Sequence, residues 1–292
     1  IKNKIDYIAL SYTRNANDVK YIRKLLGKSG IGIIAKIENH HGVENFNKIL
    51  KYSDGIMVAR GDLGVEINPE KLPIVQKDMI RKCNNAGKLV VVATQMLQTM
   101  VDNVRPTRAE TSDVANAILD GTDVIMLSAE TAIGKHPVAS VLEMTKIAKE
   151  VEPFVTGNIN NLSEKTITNT ISRSVYEMTK NLDIDKIVTL TRSGWTAKNI
   201  TKFKLKKDII AITTSDKIKK QLELYYGVIP IKLGEKNRAH RIEKTAWLLL
   251  EKHLISKKDL VLFTAGVYSS KSGSTNLIEI HRIDDMIKSI SD

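Results

Sequence analysis

Ile56-Met57-Val58-Ala59-Arg60-Gly61-Asp62-Leu63-Gly64-Val65-Glu66 is the stretch on which the reading of this chain turns. Its apolar start predicts a buried strand over 56–59, whose end delivers a carboxylate and closely packed backbone to the C-terminal rim of a sheet. Parallel α/β folds place their chemistry at that rim. Gly61 and Gly64 are expected to allow backbone conformations or approaches that a Cβ would block.

Upstream, 31–38 is a second strand, and its parity matters. Alternation puts Ile34, Lys36 and Glu38 on one face and Ile33, Ala35 and Ile37 on the other. Lys36 and Glu38 end an otherwise apolar strand, so they would stand together at the end of a closed core; an ordinary pair of rim charges fits the same pattern. His40 and His41 read as polar loop residues with no second ligand at metal spacing.

The remaining pattern predicts strands over 7–11, 89–93 and 123–127. Helices are predicted over 15–26, 43–50, 69–85, 105–119 and 138–151. Val19, Ile22, Leu25 and Leu26 share one side of the first helix, which Gly27 stops, and Pro106 falls early in the helix over 105–119. Polar residues recur at strand ends: Ser11, Lys36 and Glu38, Asp62, Thr94, Ser128 and Glu130. A doubly wound sheet or a (β/α) barrel gives this alternation, but only a barrel brings five such ends together.

The pattern breaks over 152–161, which reads as a linker. A second α/β unit follows, with strands over 186–190, 209–213, 228–232, 260–264 and 277–281 and helices over 164–181, 196–203, 217–225 and 239–253. The domain expectation is 1–155 and 156–292. Residues 266–274, rich in Ser and Gly, form a loop able to close over a ligand.

Composition bounds the function. The net charge of +12 comes from lysines scattered along helix faces and loops, which favours anionic small molecules over nucleic acid. A lone cysteine, Cys83 in a helical pattern, excludes an intrachain disulfide framework and reads as a buried structural thiol in a reducing, cytoplasmic setting. No apolar run reaches the ~20 residues of a membrane span, and no signal-peptide pattern is present. The sequence opens at Ile1 immediately before a strand, as part of a longer protein would.

Glu38 and Asp62, at neighbouring strand ends, offer the all-oxygen donor set of Mg2+ or Mn2+. Lys36 beside them adds a fixed positive charge suited to a phosphoryl group or an enolate. Thr94 and the N–H groups of Gly61 and Asp62 could take a substrate carboxylate. A structural ion-pair cluster would use the same residues. Thr191-Arg192-Ser193-Gly194-Trp195-Thr196 lies between a strand and a helix and fits either a phosphate cradle or an ordinary helix cap. Trp195 and Trp247 read as packing residues.

Five runs carry a family resemblance: Ala-Lys-Ile-Glu-Asn at 35–39, the segment 55–66, Ala-Thr-Gln-Met-Leu at 93–97, Arg-Pro-Thr-Arg-Ala-Glu at 105–110 and Met-Leu-Ser-Ala-Glu-Thr at 126–131. In this order they resemble the pyruvate kinase family, strongly through residue 152 and more loosely beyond. The resemblance implies a partial (β/α)8 TIM barrel, strands four to eight, followed by a smaller three-layer α/β regulatory domain. It implies phosphoryl transfer between phosphoenolpyruvate and ADP, giving pyruvate and ATP, with Lys36 at the phosphoryl group. Glu38 and Asp62 would bind the divalent ion, Gly61, Asp62 and Thr94 would meet the pyruvate carboxylate, and Ser128 and Glu130 are linked to protonation of the enolate. The family's K+ ligands, phosphate-binding arginine, lid domain and most of its nucleotide site would fall outside these residues.

The same resemblance implies a homo-oligomer, a tetramer at full length, with 105–110 at a subunit interface. It also implies an effector phosphate, from a phosphorylated sugar or a nucleotide, at Thr191, Arg192, Ser193, Gly194 and Thr196. Trp195 departs from the small or basic residue expected in that loop, and Ala129 replaces a frequent Gly. A fragment of this kind is expected to be inactive alone. Two rivals are a metal-dependent aldolase handling pyruvate enolate and a module that keeps only effector binding and the subunit interface.

Overall fold

The structure, a computed structural model of the 292-residue chain, describes residues 3–157, 166–233, 241–266 and 275–291. It comprises two compact units, Ile1–Gly157 and Asn158–Asp292.

In the first unit, five parallel strands stand side by side in sequence order: β1 (Tyr7–Leu10), β2 (Gly32–Ile37), β3 (Gly55–Ala59), β4 (Leu89–Ala93) and β5 (Val124–Met126). Between and after them run α1 (Ala16–Leu26), α2 (His40–Glu44), α3 (Phe46–Tyr52), α4 (Arg60–Glu66), α5 (Leu72–Asn85), α6 (Arg108–Leu119), α7 (Ala129–Ala132) and α8 (Pro137–Val151). Short 3-10 turns occupy Pro69–Lys71, Gln98–Val101 and Glu152–Phe154.

The predicted parity of β2 explains how the sheet is covered. Ile33, Ala35 and Ile37 join Ile56, Val58, Val90 and Val92 in one core, packed with Val19 of α1, Ile49 of α3, Ile80 of α5 and Val114 of α6. Lys36 takes the opposite face, in a row with Met57, Val91 and Val124. Only one face of the sheet therefore packs into this core.

Helix ends follow local chemistry. Asn15 and Asp18 form a capping box at α1, and Gly27 ends the helix with φ +52°. Thr107 and Glu110 do the same at α6. The Thr-x-x-Glu spacing marks that start, so Pro106 precedes the helix instead of falling within it. Other expectations also need correction. Residues 43–50 are split between α2 and α3 at Asn45, which caps one helix and begins the next. His40 and His41 are helical, not loop. Leu25 is exposed, because α1 turns only Val19 fully inward. The segment after β3 is helix α4, and neither Gly61 nor Gly64 has a positive φ. A Cβ on Gly61 would meet Thr94 Oγ1 at 3.4 Å, an ordinary contact, so within the chain itself neither glycine is sterically required.

The second unit is doubly wound. Strands β6 (Lys186–Leu190), β7 (Ile209–Thr213), β8 (Val228–Lys232), β9 (Leu260–Ala265) and β10 (Leu277–Arg282) lie in the order β10-β9-β6-β7-β8, with β10 antiparallel to β9 and the rest parallel. The helices are α9 (Ile167–Asn181), α10 (Trp195–Thr201), α11 (Asp216–Leu222), α12 (Arg241–Glu251) and α13 (Ile283–Ser291). Val188, Ile210, Val261 and Phe263 pack against Ala246 and Leu249 of α12 and Ile283 and Met286 of α13. Helix α13 was not anticipated from the sequence, and α10 and α11 each begin one residue before the predicted start. Residues 158–161 of the predicted linker and 267–274 of the predicted loop over 266–274 lie outside the described residues.

Lys88 shows what holds the end of α3. Its ammonium, desolvated enough to pull its pKa below the usual 10.5, donates to the carbonyls of Leu50, Lys51 (2.9 Å) and Ser53 (2.8 Å). Lys88→Met would remove a shared donor from three carbonyls, two of them in partly buried contacts. It should cost about 1–3 kcal/mol in urea unfolding, whereas Lys149→Met on the exposed side of α8 should stay within about 0.5 kcal/mol.

Candidate functional site

The C-terminal ends of β1 to β5 carry three local constellations. The first joins β1 and β2. Lys36 Nζ lies 2.5 Å from Glu38 Oε1 and donates to Ser11 Oγ at 3.2 Å, while the Tyr12 N–H donates to Glu38 Oε2. Glu38 is 1% exposed and Lys36 about a quarter exposed. A buried carboxylate is thus held by an ammonium on one oxygen and a backbone donor on the other. Tyr12 adopts φ +50°, which aims its N–H at Glu38. Next to Glu38, Asn39 caps α2 by accepting from the Gly42 N–H at 2.9 Å.

The second constellation joins β3 and β4. The Gly61 N–H donates to Thr94 Oγ1 at 2.7 Å, and that hydroxyl donates to the Ala93 carbonyl at 2.6 Å. Thr94 and Gln95 both sit in the left-handed region, at φ +70° and +54°. For a β-branched residue this conformation costs of order 1–3 kcal/mol and persists only where surroundings enforce it. Arg60 is the enforcer. Its guanidinium, 5% exposed, donates to the Thr94 carbonyl from Nε (3.1 Å) and Nη2 (2.8 Å), to the Gln95 carbonyl (2.8 Å), and pairs with Asp113 of α6 at 2.6 Å. Asp62, in the first turn of α4, is exposed to solvent.

The third joins β4 and β5. Glu130, fully buried, accepts from the Leu97 N–H at 3.0 Å and from the Ser128 N–H at 2.8 Å. It braces the backbone on both sides of the strand pair and fixes Ser128 at the start of α7. Nearby, Glu110 accepts from the N–H (2.7 Å) and hydroxyl (2.5 Å) of Thr99 and from the Thr107 N–H (2.8 Å), tying the turn at Gln98–Val101 to α6. Partial burial pulls the Glu110 carboxyl upward, but these hydrogen bonds outweigh it and hold the group below its ordinary 4.5.

In the second unit, the strand order reverses between β6 and β9, and the C-terminal ends of those strands flank the reversal, where open α/β sheets place ligands. Thr191 is buried, and its N–H donates to the Ile212 carbonyl at 2.8 Å. Gly194 adopts φ +79° before α10, and Arg192 is exposed. The Thr196 hydroxyl, in the first turn of α10, is buried and bonds Thr275 Oγ1 at 2.7 Å. Trp195 is nearly half exposed, as is Trp247.

Sequence reasoning singled out Ser11, Lys36, Glu38, Gly61, Asp62, Thr94, Ser128 and Glu130; the structure joins Ser11 to Lys36 and Gly61 to Thr94 across neighbouring strands, Lys36 to Glu38 and Ser128 to Glu130 within one segment, and leaves Asp62 exposed outside these three constellations. It missed Tyr12, the role of Arg60, and Asp113. An arginine directly after a fully apolar strand was the available signal, since a guanidinium there must find partners.

Comparison with known proteins bears on the same residues. The family model for the pyruvate kinase barrel domain matches residues 1–141, and that for the pyruvate kinase alpha/beta domain matches 169–281. Pyruvate kinase from Staphylococcus aureus (strain USA300) is 44% identical over 295 residues, a match covering 98% of this chain and 50% of the relative. Pyruvate kinase from a strain of Staphylococcus epidermidis is 45% identical with the same coverage. The chain thus spans about half the length of the curated relatives it matches.

Removing Arg60 should be costly. Arg60→Met leaves Asp113 and two strained carbonyls unpaired and should lower unfolding free energy by about 3–5 kcal/mol; Asp113→Asn, at a half-exposed partner, should cost less in the same urea titration. Glu110 should confer pH-dependent stability. Because its folded pKa is depressed, its contribution is present above pH 4.5 and lost as pH falls through the folded value. Glu110→Gln should flatten that part of the urea midpoint against pH between neutrality and pH 3.

Proposed function

This chain belongs to the pyruvate kinase family, and on that premise we propose that it carries one side of a site that transfers a phosphoryl group between phosphoenolpyruvate and ADP. The observation that carries the reading is the Lys36–Glu38 pair set at the C-terminal end of β2 and braced by Ser11 and Tyr12 at the end of the adjacent parallel strand β1. Lys36 Nζ places positive charge where the equatorial oxygens of the transferred group would lie, and its position is fixed before substrate arrives.

Glu38 and Asp62 present only carboxylate oxygens, which fits Mg2+ or Mn2+, and each Glu38 oxygen keeps a lone pair beyond its present partner. Such an ion, when bound, would neutralise phosphate charge and polarise the enolate oxygen. Thr94 would bind the pyruvate carboxylate by turning its hydroxyl hydrogen away from the Ala93 carbonyl, while still accepting from the Gly61 N–H. Asp62 contributes its N–H at the same helix start. Once the phosphoryl group has left, the enolate carbon takes a proton, and we assign the Ser128 region to that step. In this reading Glu130 is a positioning residue, since it is fully buried and each of its oxygens accepts from a backbone N–H.

We also read the five strands as strands four to eight of a (β/α)8 barrel. In support, they run parallel in sequence order with β1 and β5 as open edges. Helix α8, packed on α6 and α7, turns Val138, Val141 and Leu142 to solvent at the i, i+3, i+4 spacing of a face meant to be covered. The K+ ligands, the rest of the nucleotide site, a tetrameric assembly through 105–110 and a cytoplasmic setting follow from the family reading. Among the described residues no helix is long and apolar enough to cross a membrane. The loop 191–196 beside the sheet's reversal point remains our candidate for an effector phosphate, through Thr191, Arg192, Ser193 and Gly194, with Thr196 bracing it through Thr275.

A coupled assay should find no appreciable pyruvate formation by the 292 residues alone. Fused behind the N-terminal half of the Staphylococcus epidermidis relative, they should restore turnover. In that fusion Lys36→Ala should lower kcat by about 10²–10³-fold, with Mn2+ binding intact, while Glu38→Gln should abolish Mn2+ binding by electron paramagnetic resonance. Robust turnover by the unfused chain, or an unchanged kcat in Lys36→Ala, would overturn the reading.

A further inference from the structure

We propose that His40, His41 and Glu44 form a surface site for a borderline transition-metal ion, Zn2+ by preference and Ni2+ or Cu2+ by the same chemistry. The three residues occupy the whole length of the five-residue helix α2, from its first position to its last. Their ligand atoms all lie within 4.8 Å of one another. Glu44 serves both imidazoles: Oε1 is 3.4 Å from His40 Nε2, and Oε2 is 3.8 Å from His41 Nδ1. The two rings lean together, centroids 4.3 Å apart, so both present nitrogens toward the same carboxylate.

That spacing is close to what an ion needs. Ligands held at about 2.0–2.1 Å in a tetrahedron sit roughly 3.3 Å apart. The His40–Glu44 separation already matches, and the remaining gaps need only rotations of side chains that are all exposed. Two imidazole nitrogens and one carboxylate are the donor set of zinc sites that keep a fourth position for water. Mg2+ and Ca2+ prefer oxygen and would gain little from this set. The site is thereby distinct in kind from the all-oxygen pair Glu38 and Asp62, although Glu38 is only two residues before His40. Filling it would clamp the two ends of α2, whose cap, Asn39, adjoins Glu38.

The site is testable on the 292-residue chain. Zinc sulfate titrated against a chromophoric chelator, with millimolar Mg2+ present throughout, should reveal one bound equivalent. His41→Ala and Glu44→Gln should each weaken that binding by about tenfold or more, equivalent to about 1.4 kcal/mol. His281→Ala, which removes a two-donor His–Glu pair elsewhere, should leave it unchanged. Circular dichroism should match across the variants, because every substituted side chain is at least partly exposed. Absence of a bound equivalent, displacement by the Mg2+, or equal affinity in His41→Ala and Glu44→Gln would overturn the proposal.

Discussion

The guanidinium of Arg60 is the interaction on which the first unit depends. It sits at the point where β3 becomes α4 and gathers the Thr94 and Gln95 carbonyls, which the left-handed backbone turns toward it. Asp113 balances the charge from α6. A buried guanidinium without partners would be prohibitively unfavourable, so its satisfaction and the strain at Thr94 are two sides of one arrangement. The Thr94 hydroxyl reaches the Gly61 N–H because of that turn. The strand end that holds Asp62 and the one that holds Thr94 are therefore one construction.

The same logic recurs around the sheet rim at lower cost. Glu38 is satisfied by Lys36 and Tyr12, Glu130 by Leu97 and Ser128, and Glu110 by Thr99 and Thr107. Glu38 and Glu130 are buried and each accepts from donors in two segments distant in sequence, while the partly buried Glu110 joins the turn at Gln98–Val101 to the start of α6. Buried charge of this sort contributes little net stability compared with an apolar substitute, but it fixes the position of neighbouring groups. Pre-set groups suit phosphoryl transfer, where catalysis rests on placing charge in advance.

Much of this was legible in the residues. Alternation alone separated Ile33, Ala35 and Ile37, which enter the core, from Lys36 and Glu38, which face the other way. Strands β4, β6, β7 and β8 lie where apolar, β-branched runs predicted them, because such runs have few alternatives. The failures were local and polar. Residues 60–66 lack a strong helical period, so the sequence showed a strand end there and not helix α4, which depends on Arg60 finding its carbonyls. The break at Asn45 and the inclusion of His40 and His41 in a helix turned on caps, which single residues decide. The conformational half of the glycine reading gave way for a related reason: Gly61 sits in helical geometry without a positive φ, and within the chain its N–H to Thr94 is what matters.

By itself, the sequence determined the alternation of strands and helices, the two-unit organisation it predicts, and the family to which the motifs point, since these rest on periodicity and on residue identity in order. Tertiary structure decided which side chains meet. That Glu38 is shared between Lys36 and Tyr12, that Arg60 serves a turn some 34 residues away, and that Glu44 comes between two histidines are facts of distance. Distance is set by how parallel strands register and where their helices start, and only the folded chain fixes both.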